Sequence, residues 1–575
     1  MLARVQSYLL QGIDAQLCEV ELDFEERDQE AGIGQPAPQA RNIVVGLPDA
    51  AVKESLERVK SALANSGMPV PFGRTLVNLA PADVRKEGPL YDLPIAIAML
   101  LAQRIIPPLE VSPTSIVERM KGGSRQPTAK PAPSTSKATP KSAPAPGSLE
   151  DDLAALGDEP ESRTGPLDPR RYLIAGELAL DGRLRPIKGV IAMAALARDR
   201  GFAGVIVPAE NASEAAVVPG IEAISARTLI EVVGYFTGRI EPEVHQPLDI
   251  AALLHTATAE VDFGDVKGQE SVKRAIVIAA AGAHNIIMLG PAGTGKSMMA
   301  KALPGVLPPL TPEEAIEVTR IFSASGLLQP GQGLVTTRPV RTPHHTASAA
   351  AIIGGGSVPR PGEVSMAHRG VLFLDELPEF PREVLETMRQ PLEDHVVTIA
   401  RSHAAVRFPA SFMLVAAMNP TPKGDMPTDD FGRRAMDRYM SKISGPLIDR
   451  IDIHVEAPAV PWKQLSGGPD SGPKGSTSAM MREQVLKARD RQIKRQGAGV
   501  PNSRLGPRKL DLLAPMTEAA KTLLGTAMTE LKLSARAYDK IRRVARTIAD
   551  LEGVDVLDVA HVSEAVQYRL LDRKI

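Results

Sequence analysis

The chain has 575 residues and a formal net charge of −1, and hydrophobic residues make up 43% of it. This length is too great for one hydrophobic core, so we expect two or three domains. The near-zero charge excludes binding of nucleic acid through a general basic field, and the single cysteine, Cys18, excludes an internal disulfide framework. We find neither a signal peptide nor an apolar stretch that could span a bilayer, so we expect a cytoplasmic protein without membrane contact.

Two low-complexity stretches interrupt the pattern of helices and strands. Pro, Ala, Ser, Thr and Lys dominate residues 121–148, and such a composition cannot bury enough apolar surface to offset its ordering entropy. We therefore predict a disordered insertion over residues 120–168. A Gly-, Pro- and Ser-rich stretch predicts a flexible linker over residues 464–476.

Between these stretches, strand-like and helical segments alternate, which indicates an α/β class; the chain from Lys509 onward has the pattern of helices only. Residues 40–63 predict a strand, a turn and an amphipathic helix, and residues 171–211 predict a strand, a hairpin, a helix and a strand. Each half is small. We therefore favour one domain made of residues 1–119 and 169–240, with the insertion inside it.

The strongest chemical signal is a glycine-rich loop between a short apolar strand, Ile286–Leu289, and a helix. Its sequence GPAGTGKS matches GxxxxGK[ST], in which backbone N–H groups surround the phosphates of a nucleotide. Lys296 would neutralise the β- and γ-phosphates, and the Ser297 hydroxyl would bind Mg²⁺. The alternative, a chance glycine-rich turn, is disfavoured by the flanking strand and helix. The sequence thus predicts an ATP–Mg²⁺ site at Gly290, Pro291, Ala292, Gly293, Thr294, Gly295, Lys296 and Ser297.

Two later apolar strands end in polar residues that would complete this site. VLFLDE ends in Asp375, predicted to hold Mg²⁺, and Glu376, predicted to polarise the attacking water. FMLVAAMNP ends in Asn419, whose side chain would orient that water. Asparagine also favours the start of a turn before proline, but its order after the acidic strand favours the catalytic role.

The motifs GPAGTGKS, LFLDE, AAMNP and ISGPLIDRID resemble those of AAA+ ATPases of the magnesium-chelatase and MCM-related branch. With RTPHHTASAAAIIGGG and GVLFLDELPEF included, the chain is most similar to the ComM/YifB family of magnesium-chelatase-like proteins. The resemblance implies an AAA+ P-loop α/β core over residues 250–460 and a C-terminal helical lid over residues 477–575. It covers nearly all of the chain outside the two low-complexity stretches.

The same resemblance assigns roles to two arginines. Arg450 would be an arginine finger donated in trans to the γ-phosphate of a neighbouring subunit, and Arg536 would be the sensor-2 arginine of the lid. The alternatives are a local ion pair of Arg450 with Asp449 or Asp452, and a solvated helix face around Arg536. A finger in trans implies a ring, so we expect a homo-hexamer.

The sequence departs in two places from the domains that it resembles. The N-terminal domain resembles the α+β Lon peptidase domain, but Leu90 and Ile191 stand where that peptidase has its serine and lysine, so we expect the fold without the activity. The family's cysteine cluster after the asparagine is replaced by NPTPKGDMPTDD, with Thr421 and Lys423 at the first two cysteine positions. We therefore expect no zinc.

The long segment between loop and acidic strand is predicted to contact the substrate. Its arginines could bind a phosphate backbone, or the segment could pack between subunits; the arginines are Arg338, Arg341, Arg360 and Arg369. The pair His344–His345 has no further ligands at metal spacing, which favours a structural or nucleotide-sensing role. The basic stretch SAMMREQVLKARDRQIKRQ is typical of a solvated helix face.

The family resemblance implies an ATP-driven hexameric helicase that moves DNA branches and helps to integrate incoming DNA in natural transformation. DNA and recombination proteins would be its partners. Three other functions stay open: a chelatase-type ATPase that drives metal insertion into a tetrapyrrole, a Lon-like protease, and an ATP-switched scaffold. Leu90 and Ile191 oppose the protease, and the Lon-like domain opposes the chelatase.

Overall fold

A computed structural model of the protein describes residues 2–26, 42–71, 73–107, 165–255, 261–356, 358–401, 404–421, 434, 436, 438–460, 476–569 and 571–573. Residues 120–164 of the predicted insertion and residues 464–475 of the predicted linker lie outside the described residues. Lys423, one of the two residues at the lost cysteine positions, also lies outside them.

The N-terminal part begins with a four-stranded sheet in the order β1-β2-β4-β3. Its elements are β1 (Leu2–Gln11), β2 (Asp14–Glu26), β3 (Asn42–Val45), helix α1 (Ala50–Asn65), β4 (Gly73–Ala80) and helix α2 (Asp92–Ala102). Asp49 begins α1 because its carboxylate accepts the N–H of Val52 at 2.8 Å. Helix α2, DLPIAIAMLLA, is apolar on all sides and buried, so it forms the centre of this core.

A second four-stranded sheet follows, in the order β10-β9-β8-β5. The elements in chain order are β5 (Tyr172–Ile174), β6 (Glu177–Leu178), β7 (Leu184–Arg185), α3 (Val190–Asp199), β8 (Gly204–Pro208), α4 (Ala212–Ala215), β9 (Glu222–Ala226), α5 (Leu229–Thr237), β10 (Glu243–His245) and α6 (Ile250–His255). Leu90 and Ile191 pack in one apolar cluster here, and the N–H of Ile191 donates to the buried carboxylate of Glu214 at 2.7 Å. Neither side chain offers a nucleophile or a base.

The central part is built on a five-stranded sheet in the order β12-β15-β18-β11-β19, with all neighbouring strands parallel. β11 (Ile286–Leu289), β15 and β18 are buried apolar runs, as expected for strands covered on both faces. The other elements are α7 (Glu270–Gly282), α8 (Lys296–Ala302), α9 (Pro312–Ser325), β12 (Val340–Arg341), α10 (Ala349–Ile353), β13 (Gly354–Gly355), β14 (Arg360–Pro361), α11 (Glu363–Met366), β15 (Val371–Leu374), α12 (Arg382–Thr387), α13 (Arg389–Asp394), β16 (Val396–Arg401), β17 (Ala404–Pro409), β18 (Met413–Met418), α14 (Gly445–Ile448) and β19 (Ile453–Glu456).

The C-terminal part is helical: α15 (Ser478–Gln496), α16 (Pro507–Leu513), α17 (Glu518–Glu530), α18 (Ala535–Glu552) and α19 (Val559–Gln567). Apolar residues three and four apart give α18 a continuous buried face, which shares one hydrophobic core with α7 and α15. The predicted α/β class and helical C-terminus are confirmed, and the structure adds that the central sheet is parallel. Among the described helices, none is long and apolar enough to cross a membrane.

One buried ion pair joins the central sheet to the helical part. Lys540 on α18 lies 2.9 Å from the carboxylate of Asp452, which directly precedes β19, and both side chains are nearly inaccessible to solvent. Burial alone would raise the pKa of Asp452, but Lys540 and the neighbouring His284 together hold it well below its usual range. The stability from this depressed pKa is therefore complete above the unfolded pKa of about 4 and is lost as the pH falls below it.

We predict that Lys540→Met destabilises the protein by about 3–5 kcal/mol, because it leaves a buried carboxylate without its cation. Urea denaturation followed by circular dichroism at pH 7 would measure this. Lys521→Met is the matched control, since Lys521 forms an exposed pair with Glu518 and should contribute less than about 1 kcal/mol. Equal denaturation midpoints for the two variants would contradict the prediction.

Candidate active site

The predicted phosphate loop connects the buried end of β11 to the start of α8. Gly293 and Gly295 have φ angles of +79° and +84°, in the left-handed region that favours glycine. A Cβ atom on either would meet no atom within 4 Å, so these glycines are required by the backbone and not by packing. Gly290 differs, because a Cβ there would lie 2.2 Å from the carbonyl oxygen of Ala457. The conformation of the loop is thus fixed by the backbone angles at Gly293 and Gly295 and by close packing at Gly290.

Lys296 lies inside the loop and is 7% exposed. Its ammonium group donates to the carbonyl oxygens of Gly290 and Pro291 at 2.7 and 2.8 Å and to Oδ1 of Asn419 at 3.1 Å. Burial lowers the pKa of Lys296, and the carboxylate of Asp375 opposes that effect. The structure therefore brings Lys296, Asn419 and Asp375 together at one edge of the sheet.

The two predicted Mg²⁺ ligands are in contact. Ser297 Oγ donates to Asp375 Oδ2 at 2.7 Å, and both residues follow the carboxyl ends of parallel strands. A hydroxyl and a carboxylate are hard oxygen ligands, the kind that Mg²⁺ prefers beside nucleotide phosphates. These side chains would hold the ion against the loop, where it would neutralise phosphate charge.

Glu376, the predicted base, has a φ angle of +53°, which is strained for a residue with a side chain. This conformation turns its backbone N–H to Asp375 Oδ1 at 2.9 Å and its carboxylate outward, about half exposed. Nδ1 of His345 lies 3.3 Å from Glu376 Oε2, and the ring of His345 packs on that of His344 at 4.1 Å between centroids. The histidine pair therefore lies beside the predicted base, which agrees with the nucleotide-sensing alternative of the sequence analysis.

One residue beside the phosphate loop, Gln269, is absent from the sequence prediction. It lies before α7 with a φ angle of +62°, is 8% exposed, and donates to the carbonyl oxygens of Thr294 and Pro458 at 3.4 and 2.7 Å. The side chain thus supports the phosphate loop from outside. Its only sequence signal is that of a polar residue after a glycine, which is common in turns.

Arg450 and Arg536 lie at the amino edge of the central sheet, the edge at which its parallel strands begin. The backbone oxygen of Arg450 accepts from Asn285 at 3.1 Å, and Asn285 directly precedes β11, whereas the phosphate loop follows it. Four strand residues, roughly 13 Å, separate the two ends. Arg536 lies beside Arg450, with a guanidinium nitrogen 3.8 Å from Asp449, and is 62% exposed. Neither arginine is near the phosphate loop of its own chain.

The alternative of a local ion pair for Arg450 takes an unforeseen form. Its guanidinium is bound to Glu393 on α13 and donates to the carbonyl oxygen of Pro446 at 2.6 Å, so that the side chain is 14% exposed. Asp449 instead faces Arg536, and Asp452 pairs with Lys540. To reach a neighbour's phosphate, Arg450 would have to exchange Glu393 for it.

The arginines predicted to contact DNA differ in their availability. Arg338, Arg341 and Arg369 are engaged with the carboxylates of Glu314, Glu363 and Glu317, at 2.8, 2.6 and 2.9 Å. Arg360 is exposed on the β13–β14 hairpin. To bind a phosphate backbone, these three arginines would have to exchange their carboxylates for it, whereas Arg360 would not. The sequence does not reveal these partners, which lie 22 to 52 residues away.

Models of known families match most of the chain. That described as "Magnesium chelatase, subunit ChlI" matches residues 262–465, its C-terminal model matches 475–569, and a third, "Subunit ChlI of Mg-chelatase", matches 31–139 and 153–211. Competence protein ComM of Haemophilus influenzae is 38% identical over 536 residues, 92% of either chain. The chain belongs to the ComM/YifB family of magnesium-chelatase-like AAA+ proteins. YifB of Salmonella typhimurium is also 38% identical, again over 92% of both chains.

More distant relatives match only part of the chain. The magnesium-chelatase 38 kDa subunit of Rhodobacter capsulatus is 24% identical over 336 residues, which cover 54% of this chain and 87% of that protein. The family is one of AAA+ ATPases, and membership agrees with the phosphate loop and acidic strand described above. The roles of the individual site residues stay predictions.

We predict that Lys296→Ala lowers ATP hydrolysis at least about 100-fold, as the loss of a preorganised charge at a transferring phosphoryl group does elsewhere. Steady-state ATPase assays of the full chain would measure this. Lys301→Ala is the control, because Lys301 is an exposed cation on the same helix, α8. If Lys296→Ala keeps the activity of Lys301→Ala, the loop is not the hydrolytic site.

Proposed function

We propose that the protein is an ATP- and Mg²⁺-dependent, ring-forming DNA motor. The observation that carries the proposal is the separation of Arg450 from its own phosphate loop by the length of β11. A phosphoryl-transfer site needs cations on the γ-phosphate, and the arginines at the amino edge of the sheet can supply them only to another chain. Repeated head-to-tail contacts of this kind close into a ring. We propose a homo-hexamer, with Arg450 as the finger and Arg536 beside it.

In this site, Lys296 and Mg²⁺ held by Ser297 and Asp375 would neutralise the phosphates of ATP. Glu376 would accept a proton from the attacking water, and Asn419 would orient that water. Lys296 would leave the two loop carbonyls for the phosphates. The contact between His345 and Glu376 would have to open before Glu376 could act as a base.

Two adjacent hairpins support a nucleic-acid substrate. A Cβ on Gly354 of the β13–β14 hairpin would lie 2.9 Å from Cδ1 of Ile399 in the β16–β17 hairpin, so the two hairpins are packed together. Each presents an exposed arginine, Arg360 on the first and Arg407 on the second. Exposed guanidinium groups on neighbouring hairpins suit phosphate contacts that do not depend on sequence. We propose that they hold single-stranded or branched DNA.

The relative named competence protein ComM supports a biological setting for this activity. We propose branch migration that extends the pairing of incoming DNA with a chromosome, in concert with recombination proteins. The alternative is a chelatase-type ATPase, which the descriptions of the matching family models favour. The chelatase 38 kDa subunit of Rhodobacter capsulatus, however, matches only 54% of this chain, whereas ComM and YifB match 92% of it.

We predict that forked DNA stimulates ATP hydrolysis several-fold and that ATP drives separation of a branched substrate. Replacing both Arg360 and Arg407 by Ala should weaken DNA binding and lower the slope of log affinity against log salt by about one to two. Fluorescence anisotropy at several salt concentrations would measure this.

The control for that double variant is Arg198→Ala with Arg200→Ala, which removes two exposed arginines from the end of α3. If DNA neither binds nor stimulates hydrolysis, the motor proposal fails. Stimulation by a tetrapyrrole-binding partner in place of DNA would favour the chelatase alternative.

A further inference from the structure

A cleft of about 710 Å³ lies at the amino edge of the central sheet, between the sheet and helices α15 and α18. Its walls include the residues that lead into β11, β15, β18 and β19, among them Asn285, Gly370, Phe412 and Asp452. We call it the arginine cleft. Arg450 and Arg536 lie at this cleft, while the phosphate loop of the same chain lies at the opposite edge of the sheet.

The arginine cleft has an excess of positive charge. Eight arginine or lysine side chains line it, against five carboxylates. Four of these carboxylates already have cations of the cleft within 4.0 Å: Glu314, Glu393, Asp449 and Asp452. Among the described residues, three arginines of the lining have no carboxylate within that distance; they are Arg489, Arg504 and Arg543. His395 adds no further positive charge at neutral pH, because burial, and then Arg504, lowers its pKa to about 4.

The hydrogen bonds of these three arginines leave donors unused. Nη2 of Arg489 donates to the carbonyl oxygen of Ala280, near the end of α7, at 3.1 Å. The buried Nε of Arg489 has no acceptor. Arg504 donates to the hydroxyl of Ser411, and Arg543 donates Nε to the carbonyl oxygen of Leu505 at 2.8 Å. Burial, and then Arg338, lowers the pKa of Arg489 to about 10. Arg489 and Arg543 are half-buried and Arg504 is exposed. Positive charge that is partly withdrawn from water without a counter-charge is costly, so a bound anion would stabilise it.

We propose that the arginine cleft binds an oligophosphate anion at Arg489, Arg504 and Arg543, as a second phosphate-binding position separate from Gly290–Ser297. Guanidinium groups donate paired hydrogen bonds that match the oxygens of a phosphate group. Among the described residues of the lining, Phe412 is the only Phe, Tyr or Trp, and it is 9% exposed. Stacking of nucleobases has little platform there, which favours the phosphate chain as the group that is recognised.

Two sources could supply the anion: the nucleotide of a neighbouring subunit, or free oligophosphate. The first source rests on the ring proposed above, whereas the binding itself requires only one chain. Both share the same chemistry, three or more phosphate oxygens facing guanidinium groups.

Isothermal titration calorimetry with pyrophosphate, on the full chain carrying Lys296→Ala, tests the proposal. We expect one saturable site per chain, and we expect Arg489→Gln or Arg504→Gln, added to Lys296→Ala, to weaken it about tenfold or more. Arg508→Gln is the control, because Arg508 is an exposed arginine on the neighbouring helix α16. Arg504→Gln removes only a contact with the Ser411 hydroxyl, so it keeps the test valid if Arg489→Gln fails to fold.

No saturable binding, or equal affinity in Arg504→Gln and Arg508→Gln, would overturn the proposal. The KM for ATP of Arg504→Gln, with Lys296 intact, then separates the sources. A raised KM identifies the neighbour's nucleotide, and an unchanged KM identifies free oligophosphate. Because pyrophosphate binding is measured without DNA and without hydrolysis, its failure is distinct from a failure of the DNA-motor proposal.

Discussion

The common direction of the five central strands is the constraint on which the rest of the structure depends. All of them run parallel, so residues that come directly after a strand lie at the carboxyl edge of the sheet, and residues that come directly before one lie at the amino edge. The phosphate loop, Asp375 and Asn419 come after their strands, and Arg450 precedes β19. The phosphate loop and Arg450 are therefore held at opposite edges of a buried sheet, which supports the proposal that hydrolysis requires an interface between chains.

The remaining parts of the chain are attached to this sheet through specific contacts. The pair Asp452–Lys540 holds α18, and with it Arg536, beside the amino edge. On the other side, the hydroxyl of Ser323 on α9 donates to the buried carboxylate of Glu214 in the N-terminal part. The turn at Gly12, between β1 and β2, contacts Val406 and Phe408 of the β16–β17 hairpin. We therefore expect a movement of that hairpin, which is the proposed DNA contact, to be transmitted to the N-terminal sheets.

Local patterns in the sequence were sufficient for the phosphate loop and the acidic strand. In these motifs the functional residues come directly after buried strands. The carboxyl ends of parallel strands meet at one edge of the sheet, so the strand pattern of the sequence already indicates that these residues lie together. The α/β class and the helical C-terminus were predictable for the same reason. Arg450 could be singled out only by resemblance, because its proposed phosphate partner belongs to another chain and its partner in its own chain, Glu393, lies 57 residues away.

Charge pairing was the part that the sequence could not supply. Arg338 and Arg369 looked free for DNA, yet both meet carboxylates of α9. The basic helix α15 was expected to be solvated on its charged face, and Lys487 and Lys494 are indeed exposed beside acids four residues earlier. Arg489 of the same helix turns into the arginine cleft instead. Helical periodicity indicates on which face of a helix a residue lies, but the tertiary structure determines which face packs against the rest of the protein.

Mixing two inactive variants tests the central claim most directly. Lys296→Ala has a defective phosphate loop and an intact Arg450, and Arg450→Ala has the reverse. If the site is shared between chains, each variant alone is inactive, and an equal mixture regains activity at the interfaces that combine the two intact halves, about a quarter of all interfaces for random assembly. An Arg450→Ala protein that still hydrolyses ATP, or mixed rings that regain no activity, would contradict the account.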